Sequence, residues 1–424
     1  MFDKVINLLK KRNVFLTGGA GVGKSYLTSN IISGYKRDSK SVVVLGSTGI
    51  SAVSIGGQTV HSFFGFGICS NIEELVVQDK KNRRKIKEIR EILQSCDLIV
   101  IDEISMISAS LLDMIRYRVQ NSGFEGSFLF VGDFFQLPPV VKSSPNSLFG
   151  QNIYAFESDS WDYFDPVVIE LDEMKRTKDR EFFEILSRVR VGELDDEVLS
   201  YFEMLSKNID IYEEDPTFLY GRNLEAYRTN IKKLASHHEK EFVLDAELSI
   251  HQKRISQNRI KSWINSLPVE ESLKLKVGVP VLFTSNKWGK FYNGERGVIK
   301  EIGDDFLGIA KGGKEIRVQR QEFDLLEYKA DGNGEIKENA LATISQFPVK
   351  LAYAITIHKS QGMSLEKLVC NIDNIFERSQ FYVAVGRAVD PKKLLVEYKK
   401  ADIKEYLKRI ITVSPSVKSF YALS

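Results

Sequence analysis

The chain is poor in cysteine and histidine and carries almost no net charge. Its three cysteines, Cys69, Cys96 and Cys370, are too far apart to form a disulfide framework or a zinc-binding CxxC spacing. No apolar run approaches the roughly 18 residues of a membrane span, and the N-terminal stretch lacks an apolar signal-peptide core. The sequence therefore predicts a cytoplasmic protein (nuclear or organellar in a eukaryote) that is not secreted and has no membrane partner.

Charge and composition leave the function open. A net charge of +2 over 424 residues does not establish a polyanionic partner, although a balanced total is compatible with a locally basic groove. Hydrophobic residues make up 43% and charged residues 27%, the ordinary range of globular proteins. The length predicts several domains.

Short apolar strands that end in small or acidic residues recur in the first part of the chain. They are NVFLTGG, SVVVLGSTG, CDLIVIDE and SFLFVGD, and helical segments separate them. This alternation predicts a parallel sheet with helical crossovers. Ligands of such sheets bind beyond the carboxyl ends of the strands, where Gly18, Thr48, Asp102 and Asp133 fall. These four positions are expected to meet at one crevice.

The second half changes character twice. After Lys276, short strands alternate with turns at Asn293-Gly294 and Gly312-Gly313, which predicts a small barrel. Apolar strands then return in KLAYAITIHKSQG, so the barrel is expected to be inserted in a second α/β domain. We predict a first domain at 1–170 with an insertion at about 65–95, a second domain at 171–424, and the barrel at 285–345.

The segment GGAGVGKSY predicts a phosphate-binding loop. Gly18, Gly23, Lys24 and Ser25 satisfy the G-x-x-x-x-G-K-[ST] spacing between a strand and a helix. In such a loop the backbone amides hold the phosphates of ATP, Lys24 reaches the β/γ pair, and Ser25 binds Mg²⁺. The predicted nucleotide-binding residues here are Gly18, Gly19, Ala20, Gly21, Val22, Gly23, Lys24, Ser25 and Tyr26.

Two further groups suit nucleotide hydrolysis. Asp102 and Glu103 follow an apolar strand, so Asp102 is suited to hold Mg²⁺ through water and Glu103 to act as general base. In GDFFQLPPV, Gln136 is a neutral hydrogen-bonding group that can sense the γ-phosphate. Pro138 and Pro139 stiffen the chain that leaves it.

Several long segments follow one another in a recognisable order. They are STGISAVSIGGQTVHSFFGFG, GDFFQLPPV, LDEMKRTKDREFFEILSRVRVG, AYAITIHKSQGMSLEKL and SQFYVAVGRA. From Val14 to about Tyr398 the chain resembles superfamily 1B DNA helicases of the petite-integration-frequency (Pif) type. The resemblance implies two RecA-like P-loop NTPase domains with ATP and Mg²⁺ between them and an SH3-like barrel insertion. It further implies 5′-to-3′ translocation and duplex unwinding in replication, repair or recombination.

The resemblance also implies site residues. Arg176 and Arg387 would reach the γ-phosphate from the second domain, and Gln361 and Gly362 would lie between ATP and the DNA path. The implied DNA contacts are Thr48, His61, Phe63, Pro138, Val140, His358 and Lys359. The implied partners are single-stranded DNA, tailed or forked duplexes and four-stranded guanine DNA, with a monomer as the active unit.

Some points stay open. The family's adenine-reading glutamine is missing between Met1 and Lys24, which leaves strict ATP preference open. Thr177 and Gly386 stand where glutamine and serine are common, which leaves the arginine geometry open. The basic run between Lys80 and Arg90 is either a solvated helix face or the element that splits the duplex.

Other readings remain for the function and for the barrel. The chain could instead be a translocase that separates strands poorly or a nucleotide-gated module that binds single strands, and RNA could replace DNA as the track. Trp288, Phe291 and Tyr292 either line the DNA path or belong to the barrel core.

Overall fold

The computed structural model describes residues 1–139, 153–252, 255–287, 289–330, 335–400 and 402–423. Two parallel sheets flanked by helices form the frame, and antiparallel sheets are inserted in the second half. None of the helices in these ranges has the length and apolar character needed to cross a membrane. The predicted α/β class with two RecA-like domains is confirmed.

The first domain is built on a six-stranded parallel sheet. Its strands are β1 Val14–Gly18, β2 Val42–Gly46, β3 Gln58–Thr59, β4 Leu98–Asp102, β5 Ser127–Val131 and β6 Val167–Leu171. Their order is β3-β2-β4-β5-β1-β6. Every residue of β1 and β2 is buried, as expected of parallel strands with both faces covered.

Helices surround this sheet. They are α1 Phe2–Leu9, α2 Lys24–Arg37, α3 Gly49–Ser54, α4 Val60–Phe64, α5 Ile72–Lys81, α6 Arg83–Gln94, α7 Ala109–Gln120 and α8 Asp159–Phe164. The predicted insertion at 65–95 contains α5 and α6. Ile89, Ile92 and Leu93 of α6 are buried in the first-domain core, so only one face of this basic helix meets solvent.

The second half begins with helices and ends with them. The helices are α9 Arg180–Val191, α10 Asp196–Leu205, α11 Asn223–Ser236, α12 Gln257–Ser266, α13 Gln380–Val385, α14 Ile403–Ile410 and α15 Pro415–Leu423. The strands are β7 Thr217–Tyr220, β8 Phe242–Asp245, β9 Glu247–Ile250, β10 Ser272–Leu275, β11 Pro280–Phe283, β12 Arg296–Ile302, β13 Phe306–Lys311, β14 Lys314–Gln319, β15 Gln321–Ala330, β16 Ile336–Gln346, β17 Val349–Leu351, β18 Ala354–Thr356, β19 Leu368–Asn371 and β20 Leu394–Glu397. The second RecA-like sheet is parallel, in the order β18-β7-β19-β20.

The antiparallel insertion is wider than the predicted 285–345. Its five-stranded sheet has the order β14-β13-β12-β11-β17, and both β11 and β17 lie outside the predicted limits. The two strands pair with each other and share one apolar core, whereas the turn signals Asn293-Gly294 and Gly312-Gly313 both lie inside the predicted limits. Phe291 belongs to this core and stacks on Phe283, with 4.2 Å between ring centroids. Tyr292 is 45% exposed, and Trp288 lies outside the described residues.

A long hairpin of the insertion, β15–β16, contacts the first domain. The hydroxyl of Tyr328 accepts a hydrogen bond from the Val44 N–H at 3.1 Å. The short β3 pairs with Leu45 and Gly46 of β2 and does not reach Val44. Tyr328 therefore supplies the hydrogen-bond partner of the Val44 N–H. An ion pair between Lys85 and Glu327, at 2.8 Å, adds a second contact.

The last helix corrects the predicted second-domain range of 171–424. Val417 of α15 is buried in the first-domain core, and Phe420 and Tyr421 pack against the same core. These apolar residues recur at helical spacing on one face of α15. The chain therefore returns to the first domain after α14.

Candidate nucleotide site

A cavity of about 260 Å³ lies between the two RecA-like domains. The first domain lines it with the phosphate loop from Ala20 to Tyr26, with Glu103 and with Gln136. The second-domain residues that line it are Lys175, Arg176, Gly362, Ser364 and Arg387. Most of the predicted nucleotide-site residues therefore meet at one place.

Two glycines shape the phosphate loop. Gly21 has a φ of +80°, and a Cβ atom at this position would lie 2.4 Å from the Cβ of Arg176. Gly23 has a φ of +97° and directly precedes Lys24, where α2 begins. Only glycine tolerates both conditions without strain. The N-terminus of α2 therefore borders the cavity, which favours an anion there.

Backbone carbonyl groups of the phosphate loop hold the side chain of Lys24. Its ammonium group donates hydrogen bonds to the carbonyl oxygens of Gly18 at 2.6 Å and Gly19 at 2.9 Å. Burial lowers the pKa of Lys24, while the carboxylates of Asp133 and Glu103 oppose this shift. The cation is thus fixed in the loop with acidic groups nearby.

The acidic pair lies at the end of β4. Burial and the neighbouring Glu103 raise the pKa of Asp102 to about 7. Burial also raises the pKa of Glu103, against the attraction of Lys24 and Arg387. Glu103 has a φ of +54°, a conformation that non-glycine residues rarely adopt and that recurs at functional sites.

The two predicted arginines reach the cavity from the second domain. Arg176 donates to the Ser364 hydroxyl at 2.9 Å and to the Gly386 carbonyl at 2.6 Å. Burial and the nearby Arg387 lower its pKa to about 9, so it remains charged at neutral pH. Arg387 is 2% exposed and donates to the Val383 carbonyl at 2.8 Å. The hydrogen bonds fix both guanidinium groups through neutral acceptors, which leaves their charge available to a phosphate.

Gln136 is tied to the second domain through Asp133. Its side-chain nitrogen lies 3.4 Å from a carboxylate oxygen of Asp133, and its backbone N–H donates to the Asp133 carbonyl at 2.8 Å. Asp133 is fully buried, and two nitrogens of Arg190, in α9, each lie 3.1 Å from its carboxylate. Arg190 also pairs with Glu170 at 2.7 Å. A buried ion pair therefore joins the segment of Gln136 to the second domain.

Sequence reasoning missed Arg190 and Tyr382. The Tyr382 hydroxyl accepts a hydrogen bond from the N–H of Ala20 in the phosphate loop at 2.7 Å. Burial raises the pKa of Tyr382 to about 12, so the group stays neutral. Tyr382 stands five positions before Arg387. Arg190 is the next-to-last residue of α9, in the segment LSRVRVG. In both cases the available signal was a polar side chain close to apolar residues, in EILSRVRV and in QFYVAV.

Gln361 does not line the cavity. It lies beside Gly362, and its side-chain nitrogen is buried and lacks a hydrogen-bond partner within the described part of the chain.

The site contains no cluster of three or more acidic, histidine or cysteine ligands among the described residues. The predicted Mg²⁺ ligands, Ser25 and Asp102, supply the hydroxyl and carboxylate oxygens that this ion prefers. Asp102 is half-buried and its pKa is raised to about 7, so a nearby dication would favour its charged form.

The predicted DNA contacts differ in their accessibility. His61 and Lys359 are exposed, whereas Thr48, Pro138 and His358 are half-buried. The hydroxyl of Thr48 accepts the Ser51 N–H at 3.2 Å and thereby caps α3.

Phe63, an implied DNA contact, is buried in this structure. Its ring is 3% exposed and contacts Phe64 and Tyr328 edge to face, so it offers no free surface to a base. Val140 lies outside the described residues.

Known proteins share this sequence and architecture. Residues 1–199 match the family described as PIF1-like helicase. The ATP-dependent DNA helicase Pif1 of Campylobacter jejuni is 43% identical over 433 residues, which cover 99% of this chain and 97% of that protein.

Two solved structures of Pif1 from Bacteroides extend the likeness to three dimensions. The structure in complex with ADP-AlF4 has a TM-score of 0.83 at 25% identity and covers 100% of this chain and 96% of that chain. The structure bound to ssDNA has a TM-score of 0.65 at 25% identity, with the same coverage of 100% and 96%. With its phosphate loop facing two arginines of a second RecA-like domain, and with a relative this similar over its full length, the chain belongs to the PIF1-like helicase family.

Proposed function

We propose that the protein is an ATP-dependent DNA helicase that translocates 5′ to 3′ on single-stranded DNA and separates duplex strands. The observation that carries this proposal is the position of Arg176 and Arg387, which face the phosphate loop from the second domain. Cations delivered across an interface stabilise the charge of phosphoryl transfer and make hydrolysis depend on closure of the interface. Closure on ATP and reopening after hydrolysis would move the two domains along the strand.

The first domain supplies the remaining chemistry. Lys24 would neutralise phosphate charge, and Glu103 would accept the proton of the attacking water. Burial raises the pKa of this carboxylate toward neutral pH, which makes it a stronger base. The Tyr382 hydroxyl holds the Ala20 N–H beside the phosphates and remains neutral while it does so.

Ser25 and Asp102 are the residues that would hold Mg²⁺. When bound, the ion supplies charge stabilisation to the phosphate oxygens. Ser25 would hold it from the start of α2 and Asp102 from the end of β4. Glu103 is the next residue after Asp102, so the metal ligand and the general base are positioned by the same strand.

Hydrolysis would reach the DNA through the segment of Gln136. This side chain contacts the cavity, and the ion pair between Asp133 and Arg190 links its segment to α9. A shift of the second domain therefore acts on the same residues that sense the phosphate. Pro138 then stiffens the chain that leads away from the site. The exposed His61 and Lys359 suit contacts with the phosphates of the strand.

The helix α6 is the candidate for strand separation. Arg84 and Lys87 are 94% and 79% exposed, and they pair with Glu88 and Glu91 at 3.2 Å and 3.7 Å. Exposed pairs of this kind are weak, so DNA phosphates can replace their carboxylates at small cost. Tailed and forked duplexes are the proposed substrates, four-stranded guanine DNA is a further one, and a monomer is the proposed active unit.

The test is ATP turnover with and without single-stranded DNA, combined with strand separation on duplexes that carry only a 5′ or only a 3′ tail. We expect DNA to stimulate turnover and separation to require the 5′ tail. Separation from the 3′ tail alone would contradict the polarity. Stimulated turnover without separation would instead identify a translocase, and DNA binding without turnover a nucleotide-gated binding module. The same assays with RNA substrates decide whether DNA or RNA is the track.

A further inference from the structure

The last helix places a tyrosine hydroxyl between two walls of the nucleotide site. The hydroxyl of Tyr421 lies 2.7 Å from the Thr17 hydroxyl and accepts a hydrogen bond from the Phe134 N–H at 3.2 Å. Thr17 directly precedes Gly18, where the phosphate loop begins. Phe134 directly follows Asp133 and lies two residues before Gln136. One side-chain oxygen of α15 thus contacts both the strand that ends in the loop and the segment that holds the phosphate sensor.

Ring packing fixes the position of this hydroxyl. The ring of Tyr421 stacks on Phe135, with 4.6 Å between centroids and an interplanar angle of 15°. The guanidinium of Arg190 lies 4.9 Å from the Phe135 centroid and 5.6 Å from that of Tyr421. The neighbouring Phe420 stacks on Phe156 at 4.5 Å. Arg190, which joins the two domains through Asp133, therefore lies against this stack, and the packed rings restrict the movement of α15.

Among the described residues, the Tyr421 hydroxyl is the one hydrogen-bond partner of the Thr17 hydroxyl, and this contact is called the bridge below. The side chain of Thr17 is fully buried. Sheet pairing joins the start of β1 to β5 as far as Leu16 and Val131. The Gly132 N–H also donates to the Leu16 carbonyl at 3.1 Å. Past this bond, the Tyr421 hydroxyl links Thr17, which leads to the loop, with Phe134, which leads to Gln136.

We propose that Tyr421 is a positioning residue for ATP hydrolysis. Its hydroxyl sets the distance between the phosphate loop and the segment of Gln136, so that loop and sensor engage the same phosphate. The proposal rests on the ATPase activity proposed above. Errors of about 1 Å in such an alignment lower catalytic rates strongly, whereas nucleotide binding depends mainly on the loop itself.

The test is the pair of variants Tyr421→Phe and Thr17→Val, which remove the bridge from opposite ends and preserve ring and β-branched shape. With saturating single-stranded DNA, we expect each variant to lower kcat for ATP about tenfold and to leave KM within about twofold. The double variant is expected to be no slower than either single variant, because both remove the same contact. Tyr227→Phe, at a side chain that is 64% exposed in α11, is the matched control.

Thermal unfolding of each variant separates positioning from folding. We expect each variant to remain folded at the assay temperature, because the Phe135 stack survives in Tyr421→Phe and the lost hydrogen bonds lower the melting temperature only modestly. A kcat within twofold of the unchanged protein, or losses that add up in the double variant, would overturn the proposal. Absence of DNA-stimulated hydrolysis in the unchanged protein would instead refute the proposed function, and this is measured before any variant.

Discussion

Replacing Arg190 by methionine is expected to destabilise the protein by about 3–5 kcal/mol, because it removes one partner of a buried ion pair. Asp133 is fully buried, and two nitrogens of Arg190 each lie 3.1 Å from its carboxylate oxygens. Methionine keeps most of the apolar volume of the arginine side chain but none of its charge. The pair with Glu170 adds little to the loss, because that carboxylate is 48% exposed.

Urea unfolding followed by tryptophan fluorescence measures this loss. Of the three tryptophans, Trp161 lies in the core of the domain that contains Asp133, at 7% exposure, so replacing Trp263 and Trp288 by phenylalanine in all variants makes the signal specific to that domain. The double variant with Asp133→Asn is expected to recover part of the stability, since both charges are then absent. Arg84→Met, at a side chain that is 94% exposed, serves as control and is expected to change stability by less than about 0.5 kcal/mol. A loss below about 1 kcal/mol for Arg190→Met, or a double variant that costs the full sum, would refute the reasoning.

Two further predictions concern the site and the insertion. Glu103→Gln is expected to lower ATP turnover by about 10²-fold or more while ATP and single-stranded DNA still bind, and unchanged turnover would remove Glu103 as the general base. Burial, aided by the nearby Lys359, lowers the pKa of Lys350 to about 7. Unfolding restores the ordinary pKa near 10.4, so between about pH 7 and pH 10 the unfolded chain binds more protons and stability rises with pH. Denaturation series across this window are expected to show the rise in the unchanged protein and a flatter profile in Lys350→Met; equal slopes would contradict the assignment.

Local features of the sequence predicted the first domain well. The phosphate loop is defined by glycines and a lysine within a few residues, and the acidic pair by the strand that precedes it. Such patterns depend on backbone geometry that neighbouring residues set by themselves. Arg176 and Arg387 required a resemblance to a known family, because an isolated arginine has no local signal that separates it from a surface ion pair.

Contacts between distant segments could not be predicted. Tyr382 and Tyr421 meet their partners across 362 and 404 residues, and Arg190 meets Asp133 across 57. Nothing near these residues in the sequence indicates which segment they will meet, because tertiary packing decides it. The burial of Phe63 has the same origin, since the ring that covers it, Tyr328, comes from the insertion.

The return of α15 also limits how the two RecA-like domains can move. The chain crosses between them once after Leu171 and a second time near Ile411, which lies in the second-domain core, and Val413, which packs on the first. Two residue steps span at most about 7 Å, so the second crossing leaves almost no slack. The contacts of the β15–β16 hairpin with the first domain add a further connection, so sliding of the second domain past the first would strain the short crossing or the hairpin. A displacement of the second domain at Ile411 therefore reaches the first domain at Val413 within two residues, which couples α15 and its tyrosine to the position of the second domain.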